Sequence, residues 1–124
     1  MSLRILIVDD SPVMRAHIKR VMTSSGLLIE MTGEAADGVQ GLIQLRENEF
    51  NLIFSDFNMP NMAGDEFVAA VKLDPKLRKI PIIMVATDNS TERVHKMSQL
   101  GCDGYICKPF NPETLKKKVL SIMG

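Results

Sequence analysis

The chain has 124 residues, 15 basic and 15 acidic side chains and a 45% hydrophobic share, which suits one domain over 1–124 whose core needs no disulfide or metal staple. Zero net charge argues against direct nucleic-acid binding or attraction to an anionic membrane. No apolar run approaches the roughly 20 residues that cross a bilayer, and no signal-peptide pattern precedes the first acids, so the expectation is a cytoplasmic protein without membrane insertion.

The first predicted strand covers 3–8, Leu3-Arg4-Ile5-Leu6-Ile7-Val8, and runs into Asp9-Asp10. Ser11-Pro12 then starts a helix, with Ser11 as its N-cap and Met14, Ile18, Val21 and Met22 as its apolar stripe. A second strand is expected at about 30–35 and a second helix at about 38–47. Gly41 inside that helix should weaken it by ~1 kcal/mol relative to alanine. The third strand, 51–55, ends at Asp56. Met59-Pro60-Asn61-Met62-Ala63-Gly64 reads as a turn into a third helix at 64–73, and its two methionines read as packing residues.

The fourth strand, 82–87, closes on Thr87. Asn89 with Glu92 three residues later reads as the cap of a fourth helix at about 90–100. That helix offers only Val94, Met97 and Leu100 as clear apolar anchors, a sparse stripe that permits local adjustment. The fifth strand, 104–107, carries Tyr105 and precedes Lys108-Pro109, whose isomer the sequence leaves open. Asn111-Pro112 starts the last helix, and Leu115, Val119, Ile122 and Met123 form its stripe. Lys116, Lys117 and Lys118 read as solvated charges near its end.

Five strand–helix units imply an open parallel sheet with helices on both faces, and ligands bind such sheets beyond the strands' carboxyl ends. Asp9, Asp10, Asp56, Thr87 and Lys108 all follow or close strands, so parallel pairing gathers them at one edge. Carboxylates there suit a small hard cation such as Mg2+, which takes oxygen ligands. Asp56 has the chemistry of a carboxylate nucleophile that forms an aspartyl phosphate. Phosphoryl transfer needs positioning and charge neutralisation, which a metal, Lys108 and the Thr87 hydroxyl can supply. A lysine ending an apolar strand needs a carboxylate partner, and Asp56 is the natural candidate. Taken alone, each acid also reads as a turn or cap residue. Cys102 and Cys107 lack CxxC spacing and read as reduced thiols. His17 and His95 read as surface or helix-packing residues. The sequence has no phosphate-binding GxxxxGK[ST] loop, GxGxxG fingerprint or GxSxG elbow, which argues against an unrelated nucleotide, flavin or hydrolase enzyme.

The ordered set Asp9-Asp10, Asp37-Gly38, Asp56, Met59-Pro60, Gly64, Thr87 and Lys108-Pro109-Phe110 resembles the receiver domain of bacterial response regulators over essentially the whole chain. The string from Ser55 to Gly64 is most similar to that of the CheY-like, single-domain chemotaxis regulators. The resemblance implies a flavodoxin-like (βα)5 fold, doubly wound, with strand order 2-1-3-4-5. It implies that Asp56 accepts a phosphoryl group from a phosphohistidine on a sensor histidine kinase or histidine phosphotransfer domain. Asp10, Asp56 and the Asn58 backbone carbonyl would hold Mg2+ directly, with Asp9 acting largely through water. Thr87 and Lys108 would contact the phosphoryl group, and Tyr105 would follow Thr87 as a switch. The downstream protein target would dock on the fourth helix, fifth strand and fifth helix. Such a protein is a signalling switch rather than an enzyme with a separate substrate. The family usually has alanine or glycine after the threonine, whereas this chain has Asp88. As a modulator, Asp88 would narrow access to the phosphoryl group; otherwise it turns outward and helps cap the fourth helix. The alternative function is a phosphorylation-independent receiver acting as an interaction module.

Overall fold

The computed structural model describes residues 2–124. The elements alternate: β1 (Leu3–Val8), α1 (Pro12–Thr23), β2 (Ile29–Ala35), α2 (Gly38–Glu47), β3 (Leu52–Ser55), α3 (Gly64–Leu73), β4 (Ile82–Ala86), α4 (Thr91–Gln99), β5 (Gly104–Cys107) and α5 (Pro112–Met123). The strands form one parallel sheet in the order β2-β1-β3-β4-β5. This is the expected flavodoxin-like arrangement, and its order reverses beside β1.

Side chains alternate across the strands, so each strand feeds two cores. Leu6, Val8, Ile53, Ile82 and Met84 pack with Leu45, Phe67, Val68, Val71 and Met97 on the α2–α3–α4 side. Ile5, Ile7, Leu52, Phe54, Ile83 and Val85 pack with Ile18, Val21, Met22, Leu115 and Val119 on the α1–α5 side. Strands covered on both faces can be apolar throughout, which is why β4 reads as an unbroken hydrophobic run and β3 as one that ends at Ser55. The edge strand β2 is mostly half-buried or exposed, and its sequence is accordingly mixed.

Gly41 is where α2 meets α3. A Cβ there would lie 2.9 Å from the Phe67 ring and 3.3 Å from Val8 Cγ2, so the helix cost expected of glycine permits close packing.

Several boundaries move. β2 begins at Ile29, β3 at Leu52, and β4 stops at Ala86, leaving Thr87 just beyond it. The cap of α4 is Ser90, not Asn89: Ser90 Oγ accepts from the Arg93 N–H at 3.2 Å. Of the expected α4 anchors only Met97 is buried; Leu100 is half-buried and Val94 is 38% exposed. Lys117 is exposed as expected, but Lys116 and Lys118 are half-buried. The Lys118 stem lies against Gly104, where an added Cβ would come within 3.1 Å of it. Among the described residues, no helix is long and apolar enough to cross a membrane.

Candidate functional site

Three of the predicted acids and the lysine meet beyond the carboxyl ends of β1, β3 and β5. The Asp9 N–H donates to the Ala35 carbonyl at 3.0 Å, which extends the β1–β2 ladder by one residue. The Asp56 N–H likewise donates to the Val8 carbonyl at 2.9 Å. Parallel pairing of Val8 with Ser55 sets the two aspartates side by side. One ligand oxygen from each of Asp9, Asp10 and Asp56 can be chosen so that all lie within 4.8 Å of one another. Asp9 is 1% exposed and Asp56 9%, whereas Asp10 faces solvent.

Lys108 enters from β5. Its N–H donates to the Ala86 carbonyl at 2.7 Å, and the Lys108–Pro109 peptide is cis. Its Nζ lies 3.2 Å from Asp9 Oδ2 and 3.4 Å from Asp56 Oδ1. The expected single partner, Asp56, is therefore shared with Asp9, and Asp9 is the nearer. The reason is geometric, because pairing β1 with β3 places both carboxylates before one ammonium.

Each acid has a further donor. Asp9 Oδ1 accepts from the Ser11 N–H at 2.9 Å, which turns the chain into α1, while Ser11 Oγ caps that helix by accepting from Met14 N. Asp56 Oδ1 accepts from the Phe57 N–H at 2.8 Å. Burial pushes the Asp56 carboxyl above the usual carboxylate range, and the Asp9 charge adds to that rise. Lys108 and the Phe57 N–H oppose it without cancelling it. A partly buried carboxylate beside like charges has its charged form destabilised, which suits it to receive a cation or an electrophile.

The other expected residues make contacts outside this cluster. Thr87 is exposed at the end of β4, beside Lys108 through the Ala86 bond. Asn58 is exposed two residues after Asp56. Tyr105 is half-buried, and its hydroxyl donates to the Asp88 backbone carbonyl, tying β5 to the β4–α4 loop. Asp88 turns away from the acids toward α4. Its Oδ1 accepts from the Ser90 N–H at 2.8 Å and its Oδ2 lies 3.4 Å from Arg93 Nη2. Ser90 and, more weakly, Arg93 hold this carboxyl below the usual range. His17 packs its ring against Phe110, with centroids 5.5 Å apart, and His95 is exposed.

Three supports escaped the sequence reading. Arg15 Nη1 donates to the Asp9 carbonyl at 2.6 Å while its Nε bonds Glu34 at 3.0 Å, so α1 clamps the acidic turn. Asp37 caps α2 through the Gln40 N–H at 2.9 Å and accepts from Asn61 Nδ2 at 2.7 Å. That second bond anchors the β3–α3 turn, where Asn61 has φ 65°. Arg93 lies over Phe57.

The Gly64 N–H closes the turn on the Phe57 carbonyl at 2.7 Å. A Cβ at Gly64 would stand 2.5 Å from the Asp56 carbonyl oxygen and 2.7 Å from Phe57 Cα, both backbone atoms. Gly64→Ala should cost about 1–3 kcal/mol in urea unfolding, because the chain around Asp56 has to move aside.

The family model for the response regulator receiver domain matches residues 5–120. The chain belongs to this family. The receiver domain is 36% identical to the chemotaxis protein CheY of Pseudomonas aeruginosa over 120 residues, 97% of this chain and 95% of that one. Its fold superposes on the chemotaxis response regulator CheY4 of Vibrio cholerae with a TM-score of 0.86 at 36% identity, covering 98% and 99% of the two chains. It also superposes on the receiver domain of a signal transduction histidine kinase from Syntrophus aciditrophicus, with a TM-score of 0.85 at 30% identity and coverage of 98% and 89%. The chain is thus a receiver domain with a phosphoacceptor signalling role, and the structure holds the acidic pocket of Asp9, Asp10 and Asp56.

Proposed function

We propose that residues 1–124 act as one receiver domain in which Asp56 takes the phosphoryl group, as a CheY-like regulator in the cytoplasm. The observation that carries this reading is the pairing of a raised, partly buried Asp56 carboxyl with the Lys108 ammonium and two more carboxylates. The donor is a phosphohistidine on a sensor histidine kinase or histidine phosphotransfer domain. An Asp56 oxygen forms the new bond to phosphorus while the bond to the imidazole nitrogen breaks, and the imidazole leaves with the electron pair. Lys108 meets the charge on the phosphoryl oxygens, and the Thr87 hydroxyl donates to one of them. Three clustered carboxylates facing one ammonium fit a divalent cation. Asp10, Asp56 and the Asn58 carbonyl would hold Mg2+, with Asp9 acting through water, and the ion would add positive charge beside the phosphoryl group.

The output is a change in partner binding on the α4–β5–α5 face. Thr87 and Asp88 join β4 to α4, and Tyr105 bonds the Asp88 carbonyl, so a shift of Thr87 is felt by both elements. The α4 helix buries only Met97, which leaves it easily moved. A cavity of ≈ 220 Å³, lined in part by Val94, Met97, Tyr105 and Lys118, lies between α4, β5 and α5. Phosphorylation shifts the partner's preference only through differential contacts in the two states, and this face has room to provide them. The chemotaxis assignment draws on the similarity to CheY proteins alone.

The test is covalent. Incubation with magnesium and acetyl phosphate should add the mass of one phosphoryl group, and borohydride trapping should place it on the peptide carrying Asp56 rather than on Asp9 or Asp10. Absence of a mass gain with several phosphodonors would favour the phosphorylation-independent module instead.

A further inference from the structure

Arg93 sits in the first turn of α4, three residues past its cap Ser90. Its guanidinium carbon stands 3.6 Å from the centre of the Phe57 ring. Phe57 is the residue next to Asp56 and donates to its carboxylate. On the other side, Arg93 Nη2 lies 3.4 Å from Asp88 Oδ2, and Asp88 is the residue next to Thr87. A cation and an anion therefore pair at the start of α4: Arg93 is stacked on the residue next to Asp56, and Asp88 is the residue next to Thr87. Neither has a part in the transfer chemistry above.

The electrostatic setting gives them work. Asp9, Asp10 and Asp56 cluster beside the Lys108 ammonium, so the metal-free pocket repels an anionic phosphodonor, and a bound divalent cation balances that charge without making the entrance attractive. A guanidinium over an aromatic face is held by the ring's negative quadrupole. Stacking on Phe57 limits the rotamers the side chain would otherwise explore, so the charge stays beside the residue that follows Asp56. The Arg93 side chain remains 24% exposed, open to an arriving anion. Asp88 draws on the same guanidinium and offsets part of its field.

We propose that Arg93 is a positioning residue for phosphodonor entry, seated on Phe57 beside Asp56 and attenuated by Asp88. This rests on the reading of Asp56 as the phosphoacceptor. Arg93 makes and breaks no bond. With acetyl phosphate, an Asp56 oxygen bonds to phosphorus as the donor's P–O bond breaks and acetate leaves with the electron pair; Arg93 raises the frequency with which the donor anion arrives. Asp88 thereby modulates the site through its ion pair, not by crowding the phosphoryl group.

The experiment measures the apparent second-order rate of acetyl phosphate modification, by intact mass, across a salt series. Arg93→Gln should slow it about threefold to tenfold at low salt. Arg93→Lys should keep most of the rate, Asp88→Asn should exceed wild type, and the double variant D88N/R93Q should return close to wild type. All five proteins should converge at high salt, where exposed charges are screened within a few ångströms. A merely structural role for Arg93 would give a deficit that salt leaves intact and Asp88→Asn does not relieve, and either result overturns the proposal. Should Arg93→Gln fold poorly by thermal melt, Asp88→Asn alone decides: no acceleration at low salt sinks it. A wild type that gains no phosphoryl mass overturns both readings, whereas a modified wild type matched by Arg93→Gln overturns this one only.

Discussion

Asp56→Asn should abolish phosphoryl acceptance and, in the metal-free protein at neutral pH, raise the melting temperature by a few degrees. The first effect follows from chemistry, since a neutral amide offers no carboxylate oxygen to phosphorus. The second follows from the raised Asp56 carboxyl, displaced first by burial and then by the charge of Asp9. An acid whose folded value exceeds its unfolded value binds its proton more tightly in the native state. Between the two values the native protein carries more protons, so stability falls as pH rises through that window. Above the folded value the charged Asp56 is a constant cost, and asparagine removes it. Below the unfolded value the carboxyl is protonated in both states, and the titration-linked advantage of the variant vanishes. The Lys108 ammonium keeps a partner in the variant, because Asp9 lies 3.2 Å away. For a domain of this size each kcal/mol of stability corresponds to roughly a few degrees in melting temperature. Thermal melts in chelator, from acid to neutral pH, measure the difference between the two proteins. A variant that melts lower than wild type at neutral pH would mean the Asp56–Lys108 attraction outweighs the burial. Added magnesium should reverse the order, since wild type retains the full carboxylate set and ligand binding stabilises the state that binds.

The parts legible in the sequence share one cause. Strands buried on both faces favour apolar residues over most of their length, so β1, β3 and β4 announce themselves, and their parallel pairing makes every strand end a neighbour of the next. Asp9, Asp10, Asp56 and Lys108 could be grouped for that reason alone. The single partner expected for Lys108 was too few because register is a tertiary quantity: the alignment of Val8 with Ser55 brings Asp9 as near as Asp56. The cap of α4 expected at Asn89 falls one residue later, at Ser90, because Asp88 accepts the Ser90 N–H, which leaves Ser90 Oγ aimed at Arg93 N.

Arg15 and Arg93 were invisible for a different reason. Each is a helix residue whose long side chain leaves its own element, and only packing reveals whether it ends in water, on Glu34 and the Asp9 carbonyl, or over Phe57. The Asp37–Asn61 bond joins residues on two separate turns, and no periodic pattern encodes it. Gly41 carried a readable local cost but not the Phe67 ring that explains it.

Lys108→Ala should move two measurements in opposite directions, slowing phosphorylation about 10²–10³-fold while tightening the binding of divalent cations. The slowing reflects loss of a preorganised charge aimed at the phosphoryl oxygens, an effect of the size seen when one oxyanion donor is removed. The tightening reflects competition. In the metal-free protein Lys108 Nζ supplies the positive charge for Asp9 and Asp56, and a divalent ion entering the cluster meets its repulsion. Without it, three carboxylates face an incoming cation unopposed. The cost appears as stability: Asp9 is 1% exposed, and a buried carboxylate stripped of its partner destabilises the metal-free fold by about 3 kcal/mol. Melting temperature against magnesium concentration therefore starts lower in the variant and climbs more steeply. Lys108→Arg separates charge from shape, since a planar guanidinium keeps the unit charge but cannot place a compact ammonium between the two oxygens. It should restore most of the metal-free stability and little of the rate. If Lys108→Ala is phosphorylated as fast as wild type, the lysine is a counter-ion for the resting pocket and nothing more, and the neutralisation of the phosphoryl oxygens must come from elsewhere in the site.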